Sequence, residues 1–157
     1  MAEVFHLPTR IVFGLGVVNQ VGTEAKGIGR CAMLVTYPDL YKVGIADRVL
    51  NELKKSQVEV VVFDKIEPNP RISTLENGAS LARERKIDLV IGLGGGSPMD
   101  SAKVIAIGAL SVEPLMRYFR NPGEIKAALP IITVPTVAST SSETDHFAVA
   151  TEWRTHE

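Results

Sequence analysis

Residues 89–100 read LVIGLGGGSPMD, an apolar run that ends in consecutive glycines and continues through a serine and a proline to an aspartate. The run Leu89–Leu93 predicts a buried strand, and the mostly apolar stretch after Pro98 predicts a helix to Ala109, because proline favours the first helical turn. Glycines at such a junction let the backbone approach a ligand, and free N–H groups at a helix start suit a pyrophosphate. The segment therefore predicts a strand, turn and helix able to hold phosphate.

The spacing of these glycines differs from the Rossmann fingerprint. Ser97 stands where the third glycine of that fingerprint would be, and no acidic residue follows at a strand end about 20 positions later. Glycines also occur in tight connections that need only a positive φ. Taken alone, Gly95, Gly96 and Ser97 are open to both interpretations, a phosphate cradle or a plain turn.

On either side of this segment, apolar runs alternate with amphipathic segments, a pattern typical of β-α-β units. Apolar side chains recur at helical spacing over residues 45–53 and 75–82. Strands that are apolar at consecutive positions are expected where helices cover both faces of a sheet. We predict a doubly wound, mostly parallel, Rossmann-like α/β sheet with strands at Ala32–Thr36, Val58–Phe63, Leu89–Leu93, Ile131–Val134 and Phe147–Thr151.

The ends of the chain and its composition narrow the function class. Ile11–Gly14 predicts a short N-terminal edge strand or hairpin, a candidate dimer contact, and a helix is expected over Val18–Ala25. No internal repeat is found, and Arg120–Lys126 is the only linker-like region, so residues 1–157 are expected to form a single domain. The net charge of −1, with scattered lysines and arginines, argues against nucleic acid or an anionic membrane as partner.

Cysteine usage and the absence of long apolar stretches point to a cytoplasmic protein. Cys31 is the single cysteine, which excludes an internal disulfide framework, and its apolar neighbours predict a buried thiol. No window approaches the roughly 18 apolar residues of a membrane span, and the N-terminus lacks a signal-peptide pattern.

Two further polar segments follow predicted strands. TVASTSSE, residues 136–143, follows the fourth strand and places Thr136, Thr140 and Ser142 near its end; EPNP, residues 67–70, follows the second and fixes Asn69 between prolines. In a doubly wound sheet the carboxyl ends of the strands form the ligand crevice. The alternatives are a helix cap, with Thr140 and Glu143 as a capping box, and for Asn69 a plain loop.

Taken in order, these pieces resemble the iron-dependent (group III) alcohol dehydrogenase family, through FHLPTRIVFGLG at residues 5–16, PNP at 68–70 and GGGSPMDSAK at 94–103. The resemblance implies the nucleotide-binding half of an NAD(P)- and metal-dependent enzyme that moves hydride between a small alcohol or aldehyde and nicotinamide. It implies that Gly95, Gly96 and Ser97 contact the pyrophosphate and that Asp100 lies beside the nicotinamide end. Asn69 would hold a ribose, and the groove would be lined by Thr136, Val137, Thr140 and Ser142.

Departures from the family pattern affect cofactor choice and the nicotinamide region. The family reads PTTAGTGSE where this chain has Val137, Ser139 and Ser141. Where many members place an aspartate that bonds the adenosine 2′-hydroxyl, this chain has Tyr37, with Asp39 two positions later, so NAD and NADP both stay open.

The family's metal ligands, an aspartate and three histidines on a helical second domain, would lie beyond residue 157. His6, His146 and His156 have no spacing that places two ligands on one helical face and are expected to be surface or hydrogen-bonding residues. We therefore expect nucleotide binding without turnover by this chain, and a dimer through the N-terminal strand. The alternatives are a stand-alone nucleotide-binding or protein-assembly module, and a phosphate-binding lyase domain of the dehydroquinate synthase kind.

Overall fold

The structure is a computed structural model that describes residues 8–138 and 140–153. Four strands form the sheet: β1 (Cys31–Val35), β2 (Glu59–Phe63), β3 (Leu89–Gly94) and β4 (Ile131–Pro135). The helices are α1 (Val21–Lys26), α2 (Asp39–Lys42), α3 (Ile45–Lys55), α4 (Ile72–Glu84), α5 (Gly96–Ala109) and α6 (Leu115–Arg120), with 3-10 turns at Val17–Gln20 and Pro122–Glu124.

All four strands are parallel, in the order β2-β1-β3-β4. Met33 in the central strand β1 lies opposite Val61 of β2 and Val90 of β3, which sets the register across the middle of the sheet. The chain runs outward from β1 to β2 and then crosses back to β3 on the other side of β1. This reversal opens a crevice between the carboxyl ends of β1 and β3, the place where such sheets bind ligands.

Two separate apolar cores lie on the two faces of the sheet, because neighbouring side chains of a strand point in opposite directions. Leu34 of β1 packs with Val49 and Leu53 of α3 on one face. Met33 packs on the other face with Leu75 of α4 and with α5. Helices therefore cover both faces, and the doubly wound parallel α/β fold expected from the sequence is confirmed, although the extent of the domain stays a prediction.

Helix α5 lies directly on β3 and starts earlier than expected. It begins at Gly96, two residues before Pro98, because Gly95 is extended, with φ −82° and ψ −159°, and serves as N-cap. A Cβ at Gly92 would come within 2.9 Å of the Met99 Cα atom, so glycine is required there for close packing of the helix on the strand. In the part of the chain that is described, no helix is long and apolar enough to cross a membrane.

Two predicted strands are wrong. Phe147–Thr151 forms only an isolated bridge, in which the Ile72 N–H donates to the Thr151 carbonyl at 3.1 Å and the Thr151 N–H to the Pro70 carbonyl at 2.8 Å. It docks beside the start of α4, where no strand is available to extend the pairing.

At the N-terminus, residues 8–13 belong to no strand, and Phe13 is 96% exposed. Two side chains of this segment contact other parts of the chain. Arg10 pairs with Glu24 of α1, and the Thr9 hydroxyl donates to the Thr144 carbonyl. The predicted edge strand or hairpin at Ile11–Gly14 is therefore not formed by its described residues, because the segment follows neither edge of the sheet.

Candidate functional site

A buried threonine joins the two strands on either side of the crevice. The Thr36 side chain is fully buried immediately after β1, and its hydroxyl donates to the Leu93 carbonyl of β3 at 3.1 Å. The Thr36 N–H donates to the Phe63 carbonyl at the end of β2, also at 3.1 Å. These bonds fix the carboxyl ends of β1, β2 and β3 relative to each other and thereby form the floor of the crevice.

The glycine turn, residues 94–97, stands at the mouth of this crevice. Gly94 has a φ of +145°, and a Cβ there would lie 2.7 Å from the ring of Pro98. Gly95, Gly96 and Ser97 are half-buried, and no side chain in residues 8–138 or 140–153 caps the start of α5. The amides of the first helical turn have no intrahelical acceptor, so those of Gly96 and Ser97 are free to bind a ligand. A partial positive charge of about half a unit accompanies them.

The polar loop, residues 136–149 with Ser139 outside the described residues, reaches the glycine turn from β4. Its first residue is tied there, since the Thr136 N–H donates to the Gly94 carbonyl at 2.9 Å. A Cβ at Gly95 would lie 3.4 Å from Val137, and one at Gly96 would lie 3.0 Å from the methyl and hydroxyl groups of Thr140. The predicted polar segment after β4 therefore meets the glycine turn at Gly95 and Gly96.

The capping-box interpretation of this loop is wrong. No helix follows Thr140 as far as residue 153, where the described part of the chain ends, and the Ser142 N–H donates to the Thr140 hydroxyl at 3.3 Å within a local turn. Glu143 takes no part in that turn bond; instead its carbonyl accepts from the Thr133 hydroxyl at 3.3 Å. The Thr140 side chain is exposed beside Gly96 and can face a ligand.

Asp100 and Ser142 are brought together one helical turn beyond Gly96. The Ser142 hydroxyl donates to Asp100 Oδ1 at 2.5 Å, and the Val149 N–H donates to Asp100 Oδ2 at 3.0 Å. Ser142 is buried and the Asp100 side chain is only 14% exposed. Both oxygens of the Asp100 carboxylate are thus engaged with the polar loop.

Lys103 is a site residue that the sequence interpretation did not single out. Its Nζ donates to the Ser142 hydroxyl at 2.9 Å, to Asp145 Oδ1 at 2.7 Å and to the Phe147 carbonyl at 2.7 Å. The i, i+3 spacing of Asp100 and Lys103 on α5 is a signal that could have identified it.

The remaining predicted residues lie at the ends of the first two strands. Tyr37 follows Thr36 and packs, partly buried, against the core of the α5 face. Asp39 opens α2, is 79% exposed and pairs with Lys42 at 2.6 Å. Asn69 is exposed in a left-handed conformation with φ 54°, in a loop held by Glu67, whose carboxylate accepts from the Arg71 N–H at 3.2 Å. No hydrogen bond in the described ranges joins these three side chains to the glycine turn.

A cavity of about 810 Å³ lies between α5, α6, β4 and the polar loop, and Lys103, Ser142 and Asp145 form part of its wall. Its lining is mainly apolar and includes Val104, Ile107, Tyr118 and Phe119. Glu143 also lines it, with an Oε2 atom that is buried and lacks a hydrogen-bond partner in the structure. Nothing in the sequence pattern indicated this cavity.

In residues 8–138 and 140–153, no group of three or more His, Cys, Asp or Glu side chains is placed to hold a metal ion. His146 is exposed with its ring centroid 4.2 Å from that of Phe147, as expected for a surface residue, whereas His6 and His156 lie outside the described residues. Cys31 is half-buried, and burial raises the pKa of its thiol.

Comparison with known proteins gives consistent matches. The model of the iron-containing alcohol dehydrogenase family matches residues 8–157. The chain is 37% identical over 154 residues to choline dehydrogenase of Bacillus subtilis, covering 96% of the chain and 38% of that relative.

Solved structures show the same likeness. The crystal structure of NADH-dependent butanol dehydrogenase A from Thermotoga maritima superposes with a TM-score of 0.92 at 38% identity, over 98% of the chain and 39% of that protein. Sulfoacetaldehyde reductase from Bifidobacterium kashiwanohense in complex with NAD+ superposes with a TM-score of 0.88 at 28% identity, over 100% of the chain and 42% of that protein. The chain thus spans about two fifths of the length of the relatives it matches.

Proposed function

Since this chain belongs to the iron-containing alcohol dehydrogenase family, we propose that it is the cofactor-binding part of an alcohol dehydrogenase and that its glycine turn binds the pyrophosphate of NAD(H). The single observation that carries the proposal is the pair of amides that the start of α5 presents at the carboxyl end of β3. Within the described residues no acceptor is found for the amides of Gly96 and Ser97, and a Cβ at Gly96 would lie only 3.0 Å from Thr140. A lyase of the dehydroquinate synthase kind is less well supported, because the relatives are named as dehydrogenases and a reductase.

The proposed cofactor lies across the crevice between β1 and β3. Its pyrophosphate accepts from the amides of Gly95, Gly96 and Ser97, where the helix dipole also favours negative charge. The adenosine half lies towards Tyr37 and Asp39 at the end of β1, with Asn69 near a ribose.

The nicotinamide half lies along the polar loop, towards Thr136, Val137 and Thr140. Ser142 and Asp100 do not contact the cofactor in this proposal but support the loop from α5, since the Ser142 hydroxyl donates to Asp100 Oδ1 at 2.5 Å.

NAD(H) rather than NADP(H) is proposed on two grounds. The similar butanol dehydrogenase is named as NADH-dependent, and the reductase was solved with NAD+. The exposed carboxylate of Asp39 would also repel a 2′-phosphate that came near it, although its pairing with Lys42 reduces that repulsion.

The chemistry proposed for a longer protein that contains this chain is hydride transfer between nicotinamide and a small alcohol or aldehyde. A divalent metal would polarise the alcohol oxygen in such an enzyme, but the described residues hold no group of ligands that fits one. We therefore propose that the 157-residue chain binds nucleotide without oxidising alcohols.

Calorimetric titration of the purified chain with NADH and NADPH tests this proposal. Gly96→Val should abolish binding by filling the space beside Thr140, and Ser97→Pro should weaken it by removing one amide from a turn that tolerates proline. Gly123→Val is the matched control, because nothing lies within 4 Å of a Cβ there. Unchanged NADH affinity in Gly96→Val and Ser97→Pro would show that the phosphate site has been misplaced.

A second candidate function, a self-association or assembly module, is favoured by the exposed N-terminal segment. Ile11, Phe13 and Leu15 are large apolar residues at alternate positions and all are exposed. Exposed apolar patches often mark interaction sites, and a second copy of the chain is the proposed partner. Sizing chromatography should show a dimer that Phe13→Ser converts to a monomer, while a monomeric wild type would contradict this proposal.

A further inference from the structure

The ammonium group of Lys103 is fully engaged on a side chain that is mostly buried, although it lies close to the proposed nucleotide site. Its side chain is 11% exposed, and its Nζ donates to Ser142, Asp145 and Phe147, all in the polar loop. An ammonium group has three N–H donors, so all of them are used within the protein. Lys103 therefore has no donor left for a phosphate oxygen.

The position of Lys103 on α5 links this cluster to the glycine turn. Gly96, Asp100 and Lys103 are separated by four and three residues and so lie along one stripe of the helix. The start of α5 presents the free amides, and Asp100 and Lys103, in the next two turns of the helix, bond the polar loop. The amides and the loop are thereby attached to one rigid element.

The polar loop depends on these side-chain bonds for its position. After Pro135 it contains no helix or strand, and its other attachments are few. They include the Thr136 amide on Gly94 and the Thr133 hydroxyl on the Glu143 carbonyl. The stretch from Ser142 to Phe147 is attached to α5 through Asp100 and Lys103.

We infer that Lys103 is a positioning residue, which holds the polar loop against α5 so that Val137 and Thr140 stand beside Gly95 and Gly96. Its effect on ligand binding rests on the proposed nucleotide function. Lys103 acts on the nicotinamide half of the cofactor through the loop, whereas the amides of the glycine turn bind the pyrophosphate directly.

The charges of the cluster explain why this cation is required. Lys103 lies 2.7 Å from one carboxylate, Asp145, and 3.7 Å from another, Asp100. Asp145 is 33% exposed and Asp100 less, so water screens their mutual repulsion poorly. Without the cation, two partly buried carboxylates would face each other, and the loop would move away from the helix to hydrate them.

Nucleotide titration of Lys103→Met tests the functional part of the inference. NADH affinity should fall at least about 10-fold, as expected when a binding group is misplaced by about 1 Å. Affinity for ADP-ribose, which carries the pyrophosphate without nicotinamide, should change less than about 3-fold, since the glycine turn remains intact. Lys55→Met is the matched control, because Lys55 is 69% exposed and its one ion pair among the described residues is with Glu52; both affinities should stay at the wild-type values.

Amide hydrogen exchange tests the positioning itself without any nucleotide. In the wild-type chain the Phe147 and Val149 amides donate to Asp145 and Asp100. In Lys103→Met, exchange of these two amides should speed up, and exchange in β1 and β3 should stay unchanged. If Lys103→Met fails to fold, Asp145→Asn removes only the nearer of the two carboxylates and keeps an oxygen that can accept from the Phe147 N–H, so exchange at the Val149 amide should speed up by a smaller factor.

The outcomes separate this inference from the proposed function. Wild-type exchange rates in the loop of both variants would overturn the positioning role whatever the nucleotide result. Equal losses of NADH and ADP-ribose affinity would also overturn it, because Lys103 would then act on the phosphate site. A wild-type chain that binds neither nucleotide would refute the proposed function, and the exchange data would still decide whether Lys103 positions the loop.

Discussion

The glycine turn and the polar loop meet within van der Waals distance, yet they are held in place in opposite ways. The turn and the end of β3 before it are fixed by the absence of side chains: a Cβ at Gly92 would collide with Met99 and one at Gly94 with Pro98, which are at most seven residues away in sequence. The loop is fixed by polar side chains on partners 39 to 49 residues away, through Lys103 and Asp100. The turn is therefore specified locally, and the loop only by the tertiary structure.

This difference predicts which kind of substitution damages each region. Adding atoms should break the turn, because there is no room for them, and removing atoms should break the loop, because its bonds have no substitutes.

The largest effect is expected from Gly92→Ala. Its methyl group would come within 2.9 Å of the Met99 Cα atom and 3.0 Å of the Ala102 Cβ atom, so α5 must move away from β3. Overpacking of this kind should lower the free energy of unfolding by roughly 2–3 kcal/mol, measured by urea denaturation. In Gly123→Ala, where the space is empty, the change should stay within about 0.5 kcal/mol. A tolerated Gly92→Ala would mean that the turn is not fixed by close packing.

Removal of the Asp100 carboxylate should have a somewhat smaller effect. Asp100→Ala loses the bonds from the Ser142 hydroxyl and the Val149 amide, and we expect a loss of about 2 kcal/mol in unfolding free energy. The matched control is Asp39→Ala, since Asp39 is exposed and, in the ranges that the structure describes, pairs with Lys42 alone; its cost should be below about 0.5 kcal/mol. Equal costs in the two variants would show that the loop does not depend on buried bonds.

Thr36→Val tests the floor of the crevice, independently of the glycine turn and the polar loop. The substitution keeps the side-chain shape but removes the hydroxyl that donates to the Leu93 carbonyl at 3.1 Å. Because the site is buried, the cost should be about 1 kcal/mol, visible as a lower midpoint in thermal unfolding. Stability equal to wild type would mean that this bond contributes nothing to holding β1 and β3 together.

The smallest effect is expected at Cys31, at the opposite end of β1 from the crevice. Burial raises the pKa of its thiol above the value of about 8.5 typical of an unfolded chain, so the folded state keeps its proton to higher pH. The contribution of the protonated Cys31 thiol to the free energy of unfolding is therefore complete below the pKa of the unfolded chain, and it is lost as pH rises through the higher pKa of the folded state. The stability difference between wild type and Cys31→Ala should be constant from about pH 6 to 7.5 and shrink above about 8.5. A difference that grows with pH would contradict the burial effect.

The sequence predicts the regions that are specified by local contacts better than those that depend on distant contacts. β3 was predicted as Leu89–Leu93 and is Leu89–Gly94, because an unbroken apolar run identifies a strand covered on both faces. The start of α5 was placed two residues late, since Pro98 lies within the first turn and the extended Gly95 precedes it. Local patterns thus located the glycine turn almost to the residue.

The strand predicted at Phe147–Thr151 shows the limit of local pattern. Its residues do alternate, with Phe147 and Val149 exposed while Ala148 and Ala150 face the core. Alternation alone does not make a strand, however, because a strand also needs a neighbouring strand to pair with. Here the neighbouring segment is the loop before α4, which forms only one bridge. The acceptors of Lys103 were not predicted for the same reason, since no spacing along the chain links Asp145 to α5.

The central claim is that the amides of Gly95, Gly96 and Ser97 bind the pyrophosphate, and an amide NMR titration of the wild-type chain with ADP-ribose tests it most directly. The account predicts the largest shift changes at Gly96 and Ser97, with smaller changes at Thr140 in the polar loop. Shift changes confined to the lining of the 810 Å³ cavity, such as Tyr118 and Phe119, with Gly96 and Ser97 unmoved, would contradict it.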